Sequence, residues 1–277
     1  MVSADVRALA RAPLGAFIAE RLARRAGTSK LTRLCGFDPL LRLDQLALAV
    51  PSANLSAAAH AEDFGLVASG RFSAVEITRC ARAAITSRGG DAVQTKLGSF
   101  DSVRDREAPS GEIAAKDGLL VVSGGSYFRE LLDSAERSGP REANDERRHA
   151  ELRSALGPGS LLATWLLGEG WFERVAGGEA NARLSPLSAL RTVAARIDVG
   201  QTAKLLVLLD CTNSEGAARI SNLLGDLRAS LRALPLDPAL AGIAARVAVS
   251  QTGTRLRLAL ELNQTELSPA LDALFGP

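Results

Sequence analysis

The 277-residue sequence is short of the side chains that most often carry chemistry: it has two histidines, three cysteines, one tyrosine and two tryptophans. Aromatic residues make up 4% of the chain, which leaves few platforms on which a base could stack. Lysine is scarce, with Lys30, Lys96, Lys116 and Lys204 the only four, and arginine supplies the remaining basic charge. The 33 basic and 31 acidic residues nearly cancel, so no overall field recruits nucleic acid or an anionic surface. No run approaches the ~18 apolar residues that a membrane-spanning helix needs, and no basic segment followed by an apolar core stands behind Met1. The sequence contains no GxSxG, HExxH or Walker loop. Asp63-Phe64-Gly65 spells a kinase triplet, but its partner motifs are missing and the match is accidental.

What remains is a patterned apolar chain, with 47% hydrophobic residues. Ser3 to Gly27 reads as helix in two segments, the second opened by Pro13. Cys35-Gly-Phe-Asp-Pro39 leads through a helical turn into a strand at 43–50, where Leu46, Leu48 and Val50 alternate. A loop at 52–61 holding His60, a strand from Phe64 to Phe72, and a Ser73-capped helix to about Arg88 follow. A strand at 92–99 gives way to a polar loop, then to a hairpin and helix from Gly111 to Glu136. The stretch at 137–148 is the most highly charged in the chain. Beyond it, a helix to Leu156, a strand Leu161 to Leu167, a helix holding Trp171 and Phe172, and strands at 190–199 and 204–211 are expected. A helix from Ser214 to Leu234 carries Ile220, Leu223, Leu224, Leu227, Leu231 and Leu234 as one stripe, ended by Pro235 and Pro238. A second strand, turn, strand and helix occupies 242–275.

The two hairpin-plus-helix segments suggest a duplication. Asp38 to Val50 and Ser185 to Ile197 share a capping residue, a proline, a leucine and the apolar offsets that follow. The expected fold class is α+β: two tandem pseudo-symmetric repeats, each a mainly antiparallel sheet with helices packed on one face. The expected boundaries are 1–138 for the first repeat, 139–148 for a charged linker and 149–277 for the second. The first half lacks a counterpart of the strand Leu161 to Leu167, whose place would be just before Ser3. The expected account of that gap is a lost N-terminus, and any export signal would have gone with it.

Candidate chemistry is thin. Cys35, Cys80 and Cys211 have no metal-ligand spacing, and no metal or cofactor is expected. Cys35 and Cys80 could meet, either as a disulfide or as a pair of buried thiols; Cys211, at the end of a buried strand, reads as a core residue. His60 and His149 are expected to be exposed. Ser123-Gly-Gly-Ser126 could cradle an anion before a helix, but its counterpart Asn263-Gln264-Thr265 has no glycine, so it reads as a turn. Trp165, Trp171 and Phe172 mark a ligand pocket or a domain interface. Cys80, Asp38 and Glu169 are the only support for an enzyme.

The CGFDP segment at 35–39, SGRF at 69–72, Cys80-Ala81 and KDGLLVVSGGSYFRELLDSA together resemble uncharacterised exported proteins of myxobacterial type. That resemblance implies an envelope location and a Cys35 to Cys80 bridge, and it carries no activity. The expected function is a non-enzymatic, envelope-associated binding or structural protein, periplasmic or at the outer envelope if a signal is missing and otherwise cytoplasmic. The alternative is a carrier of a small molecule or lipid with a pocket between the repeats. The partner is expected to be a protein or a small apolar ligand, not nucleic acid, with no transmembrane segment in the chain.

Overall fold

Successive residues of a strand point to opposite sides of its sheet, and in Leu119–Gly124 both sides are apolar. Leu120 packs with Phe72, Ile77 and Ala115, whereas Val121 packs with Phe100, Phe128 and Leu132. A strand of this kind needs cover on both faces, and that requirement organises the fold. The computed structural model describes residues 1–18, 28–50, 64–107, 111–124, 127–136, 144–176, 179–233 and 238–268. It is a mixed α+β structure whose described strand pairs are all antiparallel. It divides into two compact units, Met1–Glu146 and Arg147–Pro277.

In the N-terminal unit the strands are β1 (Val2–Asp5), β2 (Leu43–Ala49), β3 (Phe64–Gly70), β4 (Ala92–Leu97), β5 (Phe100–Asp105), β6 (Gly111–Lys116) and β7 (Leu119–Gly124). Their order across the sheet is β1-β2-β3-β7-β6-β5-β4. The helix Ala74–Thr86 covers one face through Ile77, Ala81 and Ile85. The helix Tyr127–Glu136 covers the other through Phe128 and Leu132. Ser73 and Glu76 form a capping box at the start of the first helix, and Arg42 binds the Glu76 carboxylate at 2.7 Å. The Ser73 backbone N–H, then Arg42, hold the Glu76 pKa below the ordinary glutamate range. Cys35, closing the helix Thr28–Cys35, is joined by a disulfide to Cys80, with the Cα atoms 4.3 Å apart. The β6–β7 hairpin closes on Asp117-Gly118, where Gly118 takes φ 77°, a left-handed conformation that suits glycine.

The C-terminal unit contains β8 (Leu161–Leu166), β9 (Leu190–Val199), β10 (Ala203–Cys211), β11 (Ala248–Thr252) and β12 (Arg255–Leu262), in the order β8-β9-β10-β12-β11. Ala217 and Ile220 of the helix Ser214–Ala233 pack on Leu209 and Leu256 on one face. Leu152 and Leu156 of the helix Asn144–Leu156 pack on Ala194 and Leu208 on the other.

Several expectations need correction. Helices lie on both faces of each sheet, because β7 and β10 are apolar on both sides and one helical layer would leave half of that surface wet. The strand expected to be missing is β1: Ser3 pairs with Ala47 rather than capping a helix, and Asp5 takes the cap by accepting from Ala8 N–H at 2.7 Å. The polar loop after residue 99 contains β5, with Phe100, Ser102 and Val103 fully buried. The buried Ser102 hydroxyl donates to Glu112, which is how a polar residue is tolerated there. Residues 144–148 of the expected linker belong to the helix Asn144–Leu156, and 139–143 lie outside the described residues, as does the expected loop with His60. Pro238 opens a helix, Pro238–Arg246, at the position where a missing N–H costs nothing. Of the long stripe, Ile220 and Leu224 meet the core and Leu227 is 44% exposed, while the Leu231 side chain and Leu234 lie outside the described residues.

Candidate functional site

The C-terminal unit holds a pocket of about 710 Å³ at one end of its sheet, and every residue lining it belongs to that unit. Register builds its floor. Asp210, near the end of β10, lies opposite Thr192 of β9 on one side and Arg255, the first residue of β12, on the other. The Arg255 guanidinium grips the carboxylate through two hydrogen bonds, Nε to Oδ1 at 2.6 Å and Nη2 to Oδ2 at 3.0 Å. The Thr192 hydroxyl donates to Oδ2 at 3.1 Å. Hydrogen bonding to Asp210 raises the Arg255 pKa above its already high ordinary value, and the two groups form a bidentate, mutually neutralising pair. Cys211, buried next to this pair, has its thiol pKa raised by burial and then by the Asp210 charge, the opposite of an activated nucleophile.

The apolar wall comes from Leu152, Leu166, Leu167, Leu190 and Trp171. Trp171 starts the helix Trp171–Ala176, and its indole N–H donates to Leu190 O at 3.1 Å. That bond fixes a large apolar ring against the start of β9. The loop before it is tied at both ends: Leu167 N–H donates to Arg191 O at 2.8 Å, and Arg174 Nη1 donates to Glu169 O at 2.6 Å. At the mouth stand the exposed side chains of Arg148, Glu151, Glu169 and Arg191. None of these four forms an ion pair with another described residue.

Of the aromatic residues singled out from the sequence, Trp171 lines the pocket. Phe172 meets it edge-on, with ring centroids 5.7 Å apart, and is not part of the lining. Trp165 is 38% exposed and lies opposite Val193, on the strand face away from Thr164 and Leu166. His149 is not simply exposed: it is half-buried, and its Nδ1 meets the Oγ1 of the buried Thr164 at 2.7 Å. That contact pins the helix Asn144–Leu156 beside the pocket. Glu169 is at the mouth, while Cys80 is taken by its disulfide, which removes it as a nucleophile. Asp38 lies between the helix Thr28–Cys35 and the turn Leu40–Arg42 of the other unit. Ser123 of the glycine turn donates its hydroxyl to Phe64 O at 2.7 Å inside the sheet; residues 125–126 lie outside the described residues.

The Asp210–Arg255 pair and Arg191 escaped the sequence reading because 45 residues separate the two charges of the pair. The available signal was weak: an apolar run ending in Asp210, and a turn at Gly253 followed at once by Arg255.

Among the described residues no helix is long and apolar enough to cross a membrane, and no group of His, Cys, Asp and Glu side chains has the arrangement of a metal site. No protein-family model matches the chain, and no curated protein matches it. Among solved structures, crystal form I of TP0453 is similar, with a TM-score of 0.50 and 10% identity over 99% of this chain and 93% of that one. At that identity the likeness is one of fold.

Proposed function

We propose that this chain is a non-enzymatic binding protein of the cell envelope, built on a duplicated α+β scaffold, and that it holds a small amphipathic molecule in the pocket of its C-terminal unit. The observation that carries the reading is the pocket itself: about 710 Å³, with a wall of leucines and Trp171 and an internally neutralised floor. Its size is that of ordinary small-molecule sites, roughly 300–1,000 Å³. The Asp210 lone pairs face Arg255 and Thr192, which suits a fixed polar floor better than a proton acceptor.

The duplication is supported by strand order. β1-β2-β3-β7-β6 and β8-β9-β10-β12-β11 follow the same path, and the additional hairpin β4–β5 and helix Pro238–Arg246 sit at the same point of each. The envelope location is supported by the Cys35–Cys80 disulfide, since such bridges persist in oxidising compartments, and by the resemblance to exported proteins.

The test uses the full chain with Trp165→Phe, which leaves Trp171 as its only tryptophan. Titration with a single-chain amphipath is expected to saturate the Trp171 emission at one ligand per chain, and Trp171→Leu, followed by titration calorimetry because it removes the fluorophore, is expected to weaken binding about tenfold or more. Native mass spectrometry of the freshly purified protein should show the same stoichiometry. No saturable change with any amphipath, or catalytic turnover that depends on a single pocket side chain, sinks the proposal.

A further inference from the structure

The proposed function leaves the ligand's chemistry open, and the charges around the pocket narrow it. They fall into two sets. In the floor, Asp210 and Arg255 satisfy one another, with Thr192 donating a third hydrogen bond, so the floor asks no net charge of a ligand. At the mouth, Arg148 and Glu151 project from one helix, Glu169 from the loop before Trp171, and Arg191 from β9. That makes two guanidiniums and two carboxylates, exposed and without ion-pair partners among the described residues.

An anionic ligand would gain from Arg148 and Arg191 but stand close to Glu151 and Glu169, and a cationic one would meet the reverse. A head carrying both signs can satisfy both pairs, the guanidiniums taking an anionic oxygen group and the carboxylates an ammonium. Behind the mouth the wall of Trp171, Leu152, Leu166 and Leu190 has no charge to offer and favours an apolar body.

We infer that the pocket selects a zwitterionic amphipath: a head with one ammonium and one phosphate or carboxylate at the mouth, and a single apolar body against Trp171. This rests on the proposed function, since it assigns ligand chemistry to the same pocket. The head could belong to a lipid or to a free soluble amphipath, and the experiment separates the two.

The Trp165→Phe protein is titrated with dodecylphosphocholine, dodecyl sulfate and dodecyltrimethylammonium, each below its micelle concentration, and with phosphocholine lacking the chain. Far-UV circular dichroism checks that the fold survives each titration. Dodecylphosphocholine is expected to bind about fivefold to tenfold more tightly than either singly charged probe, the scale of a few partly exposed charge contacts. Phosphocholine alone is expected to bind more weakly still. Because Arg191 and Glu169 are exposed, the fold should survive reversal of either charge. Arg191→Glu should reduce dodecylphosphocholine binding and raise that of dodecyltrimethylammonium; Glu169→Arg should do the converse with dodecyl sulfate. Saturable binding of all three chain-bearing probes with equal affinity overturns the zwitterion inference and leaves the binding function standing, whereas binding of none overturns both. Equal affinity for phosphocholine with and without its chain overturns the amphipath. If lysophosphatidylcholine carried in vesicles loads the pocket, the source is a lipid; if only dodecylphosphocholine does, it is a soluble amphipath. Loading from neither overturns the inference.

Discussion

The two units follow one strand order but finish the same rung of their sheets differently. Where β3 meets β7, the last pair is Ser69 and Leu119, and Leu119 packs towards Val121, Phe128 and Leu132. Where β10 meets β12, the last pair is Asp210 and Arg255. The uncharged rung lets the helix Tyr127–Glu136 close over a core in which Phe100, Ala114 and Val121 are wholly buried. A charged rung must keep access to water, and the C-terminal unit has a pocket there. The N-terminal unit is further tied by a disulfide, a capping box and the Arg42–Glu76 pair, whereas Cys211 of the C-terminal unit is a free thiol. One sheet plan thus carries a helix-covered core at this rung in one unit and a recess with a ready-made polar floor in the other.

If that contrast is correct, the N-terminal unit should respond most to losing its core. Phe100→Ala is expected to cost about 3–5 kcal/mol, read as a shift of the denaturant transition followed by far-UV circular dichroism. Breaking the Cys35–Cys80 bridge, which spans 45 residues of sequence, is expected to cost about 2–4 kcal/mol in the Cys35→Ser, Cys80→Ser protein. Thiol titration of the denatured, unreduced wild type should find one thiol, and three would remove the bridge from the comparison.

Asp210→Ala in the open unit should be milder, about 1 kcal/mol, because Arg255 is half exposed and can turn to solvent. Its larger consequence should be weaker ligand binding, as the unpaired guanidinium charges the floor. Loss of stability as severe as that from Phe100→Ala would place the pair in the core and erase the contrast.

The smallest effect concerns acid. Glu76 and Glu136 both have lowered pKa values, Glu76 through the Ser73 N–H and Arg42, Glu136 chiefly through the Ser99 N–H. A carboxylate whose folded pKa is depressed contributes stability that is fully present above its unfolded pKa and lost as the pH falls through the folded one. The difference in melting temperature between wild type and Glu76→Gln should therefore be present near neutrality and fade as the pH drops below the ordinary glutamate range. A difference that persisted unchanged into acid would remove the charge of Glu76 from the account.

Much of the scaffold is legible in the sequence because its signals are local. Alternation marks β9 and β12, Ser73 marks the helix that follows it, and Gly118 marks its hairpin. The errors arise where a local signal was outweighed by a distant partner. Ser3 looks like a helix cap but pairs with Ala47 of β2, and Ser102 looks like loop but is buried because Glu112 receives its hydroxyl. Trp171 stands out as a large aromatic in a chain with few. Arg191 and Arg148 do not, being two among many arginines whose place at the mouth depends on strand register and helix docking.

What the sequence by itself determined is therefore most of the elements, their apolar sides and the order in which they come, β1, β5 and the helix Pro238–Arg246 excepted, since periodicity and turn chemistry act over a few residues. Only the tertiary structure decided that each sheet is covered on both faces, that Cys35 meets Cys80, and that Asp210 faces Arg255. Those outcomes depend on which strands pair and in what register, and contacts across 45 residues leave no periodic trace in the chain.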